Sequence, residues 1–173
     1  MEEDRTLNLL GALALRITDL MNTTVKTDQG LGGETAAALV TLGAEPGISI
    51  NVLRQILHLS HPGTVRLVDR LEVRGMVERK TGTDGRTRTL FLTKAGRQRR
   101  KIILKNRREQ LKFTIESLTN QERKQLTDIL EKILRKTVLN AMDTFSICRL
   151  CEEEVCPMDR CPVEEEYNRL IKS

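Results

Sequence analysis

Four cysteines crowd one short stretch late in the chain, as Cys148-x2-Cys151-x4-Cys156-x4-Cys161, with Pro157 and Pro162 each directly after a cysteine. They sit among Arg149, Glu152, Glu153, Glu154, Asp159 and Arg160, in a polar segment too short to make a core. A free cysteine on an apolar face is usually a small buried hydrophobe; this setting is different. Four thiolates suffice for a closed tetrahedral zinc site, which would stabilise a segment that cannot otherwise fold. The spacing is not that of the paired CxxC…CxxC ribbon. Cys-Pro steps and clustered thiolates also suit an iron–sulfur cluster, although ferredoxin spacing is absent. Zinc is the first expectation; a cluster, or no cofactor, is the alternative. His58 and His61 are spaced i, i+3 with no further ligand adjacent, and a metal site needs more than that. No Ser/His/Asp set, nucleotide loop or HExxH motif exists, so enzymatic activity is not expected.

The second chemistry is electrostatic. The formal net charge of the 173 residues is +5, unevenly spread. Between Arg66 and Arg108 arginines and lysines crowd together against only Asp69, Glu72, Glu78 and Asp84, while the tail is acidic at 152–154 and 164–166. A basic block of this kind points to a polyanion. Its overlap with the pattern below makes double-stranded DNA the favoured one. Aromatics are scarce and Trp is absent, which argues against stacking on single strands.

The elements that must position those cations run from Ser49 to Gly96. Ser49 can cap a helix carrying Ile50, Leu53, Ile56 and Leu57. Ser60 can cap a second, with Pro62 in its first turn and an Arg74-Gly75 stop. Val65, Leu67, Val68 and Leu71 are expected inward, and His61, Thr64, Arg66 and Arg70 on the other side. Two alternating runs, 76–79 and 89–92, joined by Thr83-Asp84-Gly85-Arg86, read as a β-hairpin. Helix, turn, helix and basic hairpin make a winged helix-turn-helix, whose second helix fits a major groove. Ser60, His61, Gly63, Thr64 and Arg66 are the expected base readers, and the helix N-terminus favours phosphate. Arg70 and Arg88 extend the set, Arg70 with the alternative of pairing with a nearby acid. Arg86, at a turn tip, suits the negative potential of a minor groove, and Asp84 can hold its guanidinium.

The run LSHPGTVRLVDRLEVRGMVERKTGTDGRTRTLFLTKAGR (59–97) resembles the signature of the MarR-type family of bacterial transcription regulators. The most specific parts are VDRLExRGxVER and the wing pattern DxRxxxLxLTxxG, here Asp84, Arg86, Leu90, Leu92, Thr93 and Gly96. The resemblance implies DNA reading by the second helix, a wing Asp-x-Arg pair, and a two-fold dimer in which first and last helices interlock. It also implies a small-molecule effector in the crevice between dimer helices and DNA lobe. Cysteine sensing of oxidants in some such regulators adds a reversible dithiol switch to the readings of the tail. Val65 stands where the family often has Ser or Thr, and the VDRL arginine and aspartate are partly structural there.

Around this unit lie long helices. Leu7, Leu10, Ala14, Ile17, Leu20, Met21 and Val25 form one stripe, widened by Leu9, Leu13 and Leu15 beyond what one face needs. A short Ala-rich helix spans 34–43. Thr93 can cap a very basic helix carrying Ile102, Ile103, Leu111 and Ile115. Thr119-Asn120-Gln121-Glu122 is a capping box, opening a stripe of Leu126, Ile129, Leu130, Ile133, Leu134, Val138 and Met142. The expected organisation is a dimerisation helix (1–29), a winged helix-turn-helix (30–97), C-terminal dimerisation helices (98–145) and a cysteine-rich tail (146–173). The fold class is mainly α with a small β-hairpin wing, and the protein a homodimer. No apolar run nears the ~20 residues of a membrane span and the opening residues are acidic, so no membrane partner and a cytoplasmic site are expected. The function expected is a DNA-binding regulator, acting chiefly as a repressor on a pseudo-palindromic operator. Its rivals are a metal or redox sensor centred on the cysteines, and an architectural protein binding DNA through the basic face 97–108.

Overall fold

The computed structural model describes residues 2–26, 32–82, 87–156 and 158–172, with backbone alone at 22–26 and 158. Helices α1 (Glu2–Lys26), α2 (Gly33–Ala44), α3 (Ile50–Ile56) and α4 (His61–Val73) precede strands β1 (Val77–Thr81) and β2 (Arg88–Leu92). There follow α5 (Lys94–Thr114), α6 (Asn120–Thr137), α7 (Ala141–Cys148), a 3-10 turn at Met158–Arg160, and α8 (Pro162–Leu170). The expected winged helix-turn-helix is α3, α4 and the hairpin.

Local chemistry starts and stops these elements where the sequence says it should. Ser49 Oγ accepts from the Val52 N–H at 3.3 Å, and Ser60 Oγ from the Gly63 N–H at 3.2 Å. Each satisfies a donor that the helix start leaves without an intrahelical partner. Gly75 closes α4 at φ +67, a left-handed conformation that costs an L side chain about 1 kcal/mol or more. The strands pair antiparallel from Val77↔Leu92 to Thr81↔Arg88. The chain entering α3 lines the free edge of β2, with Leu90 N–H donating to Ile48 O at 3.0 Å and Gly47 N–H to Leu90 O at 2.9 Å.

One core joins these parts: Ala38, Leu39 and Leu42 of α2, Leu53 of α3, Leu67, Val68 and Leu71 of α4, and Val77, Leu90 and Leu92 of the wing. A two-stranded hairpin is marginal in water by itself; these three wing side chains hold it to the helices, each contributing roughly 1.5–3 kcal/mol.

Three expectations need correction. The stripe from Leu126 to Met142 is not one helix: α6 ends at Thr137 and α7 starts at Ala141. Asn140 is the reason, because its Oδ1 accepts from the Met142 N–H while Asp143 accepts from the Leu139 and Asn140 N–H groups. That reciprocal cap outcompetes continuation through Thr137 and Val138, both β-branched. Cys148 ends the short α7, which runs across the boundary expected at 145/146. Last, Thr64 is fully buried and its hydroxyl donates to Ser60 O at 3.1 Å. It faces the core, not the outer side of α4.

The breadth of the α1 stripe has a plain structural counterpart. Leu7, Leu9, Leu10, Leu13 and Leu15 are all exposed, Leu15 to 71%. Helix α6 buries no residue, and Ile129, Leu130 and Ile133 are open as well. No helix among the described residues is long and apolar enough to cross a membrane.

Candidate functional site

Helix α4 presents a basic outer face. Its buried residues, Thr64, Leu67, Val68 and Leu71, follow helical spacing, so His61, Arg66 and Arg70 are left at least partly open and Gly63 half-covered. Arg66 and Arg70 are one turn apart and border an open groove of about 550 Å³ with Glu34, Leu59, Gly63 and Asp69. No ion pair among the described residues ties either arginine.

The acids of the same helix are tied elsewhere. Arg79 of β1 donates to Asp69 at 2.6 Å and to Glu72 at 2.5 Å. One guanidinium thus clamps the wing to α4 and neutralises the carboxylates beside Arg66 and Arg70. The alternative of Arg70 pairing with a nearby acid is not what this arrangement uses. Sequence reasoning missed Arg79; the signal was available, since Asp69, Glu72 and Arg79 all belong to VDRLExRGxVER.

On the wing, Arg88 is exposed and its guanidinium donates to Thr81 Oγ1 at 3.3 Å across the strand pair. Lys80 lies 4.8 Å from the centre of the Phe91 ring, a favourable cation–π contact. Asp84 and Arg86 lie outside the described residues.

The base of the wing is a tight joint. Thr93 Oγ1 donates to Gly75 O at 2.6 Å and accepts from the Gly96 N–H at 3.1 Å. A Cβ on Gly96 would meet Met76 O at 2.0 Å, so only glycine lets α5 approach the turn between α4 and β1. Arg97 donates to Leu92 O at 2.7 Å. The LTxxG end of the wing pattern is therefore a packing device. The basic face of α5 is also partly engaged: Arg108 pairs with Glu152 at 2.6 Å, and Arg100 with Glu153 at 3.8 Å.

Those acids bring the cysteines to the lobe. Cys148, Cys151, Cys156 and Cys161 line one cavity of about 330 Å³, whose opposite wall is Thr41, Ala44 and Glu45 at the end of α2. All four are free thiols. Cys151 and Cys161 both act on the Cys148 thiol, and Cys161 and Cys151 on that of Cys156, so the four sulfurs sense one another. The hydrogen bond from Cys148 draws the Cys151 thiol down to about 6, with Arg107 adding to the effect. The same bond raises Cys148, and burial raises Cys156 to about 11. Burial, then Glu153 and Glu164, raises the Glu45 carboxyl. Among the described residues, no group of three or more His, Cys, Asp or Glu side chains stands in metal-holding geometry. His58 and His61 are not drawn into this cavity.

Residues 29–87 match the model described as the MarR family; the four cysteines lie outside that match. Solved structures share the fold. MepR, a transcription regulator of the Staphylococcus aureus multidrug efflux pump MepA, is 18% identical over 74% of this chain and 95% of its own, with TM-score 0.66. A MarR-family transcriptional regulator from Silicibacter pomeroyi is 26% identical over 75% and 90%, with TM-score 0.59. A single-site mutant of MarR from E. coli is 21% identical over 73% and 94%, with TM-score 0.66. No curated protein matches the chain. Residues 29–87 thus match the MarR family model, and the chain shares the winged-helix fold of these solved regulators.

Proposed function

We propose that the protein is a sequence-specific DNA-binding transcription regulator, acting as a two-fold homodimer and as a repressor on a pseudo-palindromic operator. The observation that carries this reading is the outer face of α4, where Arg66 and Arg70 form no ion pair among the described residues while Arg79 occupies Asp69 and Glu72. Such a face meets the major groove as a cation, with its Ser60-capped N-terminus turned to phosphate. Ser60, His61, Gly63 and Arg66 are the side of the helix that reads bases, and Arg70 and Arg88 contact the backbone. Thr64, being internal, shapes the helix rather than touching DNA. The minor-groove contact expected of Arg86 from its sequence pattern, with Asp84 as its partner, belongs to the same reading.

The uncovered leucines of α1 and the open face of α6 support a second copy as their occupant, because apolar area of this extent is rarely left to water. A two-fold axis would set the two α4 helices about 34 Å apart, one helical turn of DNA. A small molecule, metal or redox event that alters that spacing would alter operator affinity.

Operator selection from fragmented genomic DNA with the purified protein tests this directly. The expected product is an inverted repeat whose half-sites lie about one turn apart. Equal retention of random duplex at fixed salt would instead support an architectural protein.

A further inference from the structure

We propose that Cys148, Cys151, Cys156 and Cys161 bind a single zinc ion, and that this ion fastens the C-terminal segment to the winged lobe. The inference is independent of DNA binding.

The segment after α6 packs on α3 and α6 but has only a small apolar core of its own. Its fully covered apolar core is Val138, Cys161 and Val163, with Leu134, Ile147, Cys148, Cys156 and Leu170 packed around them. Three of those eight side chains are thiols. A unit this small needs a disulfide, a metal or a partner surface for stability, and the four cysteines are not disulfide-bonded.

The thiols come from three different pieces of backbone and meet in one place. Cys148 ends α7, Cys151 and Cys156 flank the following turn, and Cys161 is the N-cap of α8. The turn is already wound tightly, with Cys151 N–H donating to Cys148 O at 2.8 Å and Cys156 N–H to Glu152 O at 3.2 Å. A thiol is a weak donor and a weak acceptor, so mutual contact alone gives little stabilisation to four cysteines that line one cavity. Zinc takes four thiolates at about 2.3 Å. Each thiol would release its proton to solvent and each sulfur would donate one lone pair, leaving a centre of net charge −2. Arg149, on the cavity wall, and Arg107, beside Cys151 and Cys156 in the adjoining groove, supply the compensating cations. The sulfurs do not stand in metal-holding geometry in this structure, so the ion would have to draw them together on binding.

What makes the site a fastening rather than an isolated knot is its far wall. Thr41, Ala44 and Glu45 belong to the end of α2 and its cap, in the lobe. Arg108–Glu152 and Arg100–Glu153 pin the same turn to α5. Exposed pairs of this kind contribute little by themselves; the ion would fix the turn that presents both glutamates.

The test uses the full-length protein purified without added metal. Elemental analysis should give about one zinc per chain with no visible absorption, and a Cys148→Ser/Cys161→Ser double variant should contain almost none. Because that variant risks misfolding, the wild type is also treated with a strong zinc chelator and then with trypsin. Cleavage within 149–160 should accelerate at least about tenfold and be reversed by added zinc, while the lobe stays resistant. Iron with a visible band, zinc-free protein carrying disulfides, or cleavage indifferent to chelation would each overturn the proposal.

Discussion

The winged lobe and the C-terminal segment are stabilised by different means. The lobe buries ten side chains in one continuous core and caps its helices with hydroxyls. The apolar cluster of the segment has three buried members, Cys161 among them, and ion pairs to α5 and α6 and the other three thiols supplement it. The lesson is about cooperativity. A side chain in the lobe touches several elements at once, so its loss is felt everywhere; one in the segment is felt where it stands. The segment also takes up Leu134 and Val138, part of the stripe that pattern alone assigns to another subunit.

The sharpest way to break the comparison is a matched pair of truncations. Leu67→Ala should lower global stability by about 3 kcal/mol, through lost burial plus a cavity. Val163→Ala, equally buried, should leave the main urea transition in place and show as faster proteolysis of the tail. A common shift of the main transition in both variants would make the two regions one cooperative unit.

Gly96→Ala should follow, at about 2–3 kcal/mol, because the new methyl meets backbone rather than a movable side chain. Thermal melting is the check, and a melt unchanged from wild type would remove the close approach of α5 to the Met76 backbone from the account.

Within the lobe, charge and core can be separated. Arg66→Ala and Arg86→Ala should each weaken operator binding by about 1–3 kcal/mol while the urea midpoint stays put. Gel-shift titration alongside denaturation reads both quantities; full affinity in the Arg86 variant would take the wing out of the DNA contact.

The smallest expected effect is on stability at Arg79. Its bonds to Asp69 and Glu72 are largely solvent-facing, so Arg79→Ala should cost less than about 1 kcal/mol of folding free energy. Operator affinity should fall more than stability does, since two carboxylates are then unmasked beside Arg66 and Arg70. Equal losses in both would reduce Arg79 to a structural tie.

What was legible in the residues alone is what acts over three or four positions. The Ser49, Ser60, Thr93 and Thr119 caps and the Gly75 stop each follow from hydrogen-bond needs inside one turn, and each is where the pattern put it. The Asn140 cap was equally local, and was overlooked because a hydrophobic stripe ran across it. The functional face was only partly legible. Helical spacing set Arg66 and Arg70 outward, but whether Thr64 turned in or out depended on how α4 seats against its neighbours. Only the tertiary structure decided that Arg79 claims Asp69 and Glu72, that Gly96 marks backbone contact, and that the cysteine turn folds back onto α2 and α5. These are meetings between residues distant in sequence, 44 positions apart for Arg108 and Glu152. Composition and period carry no term for such pairs, because they form only after the elements that bear them have packed.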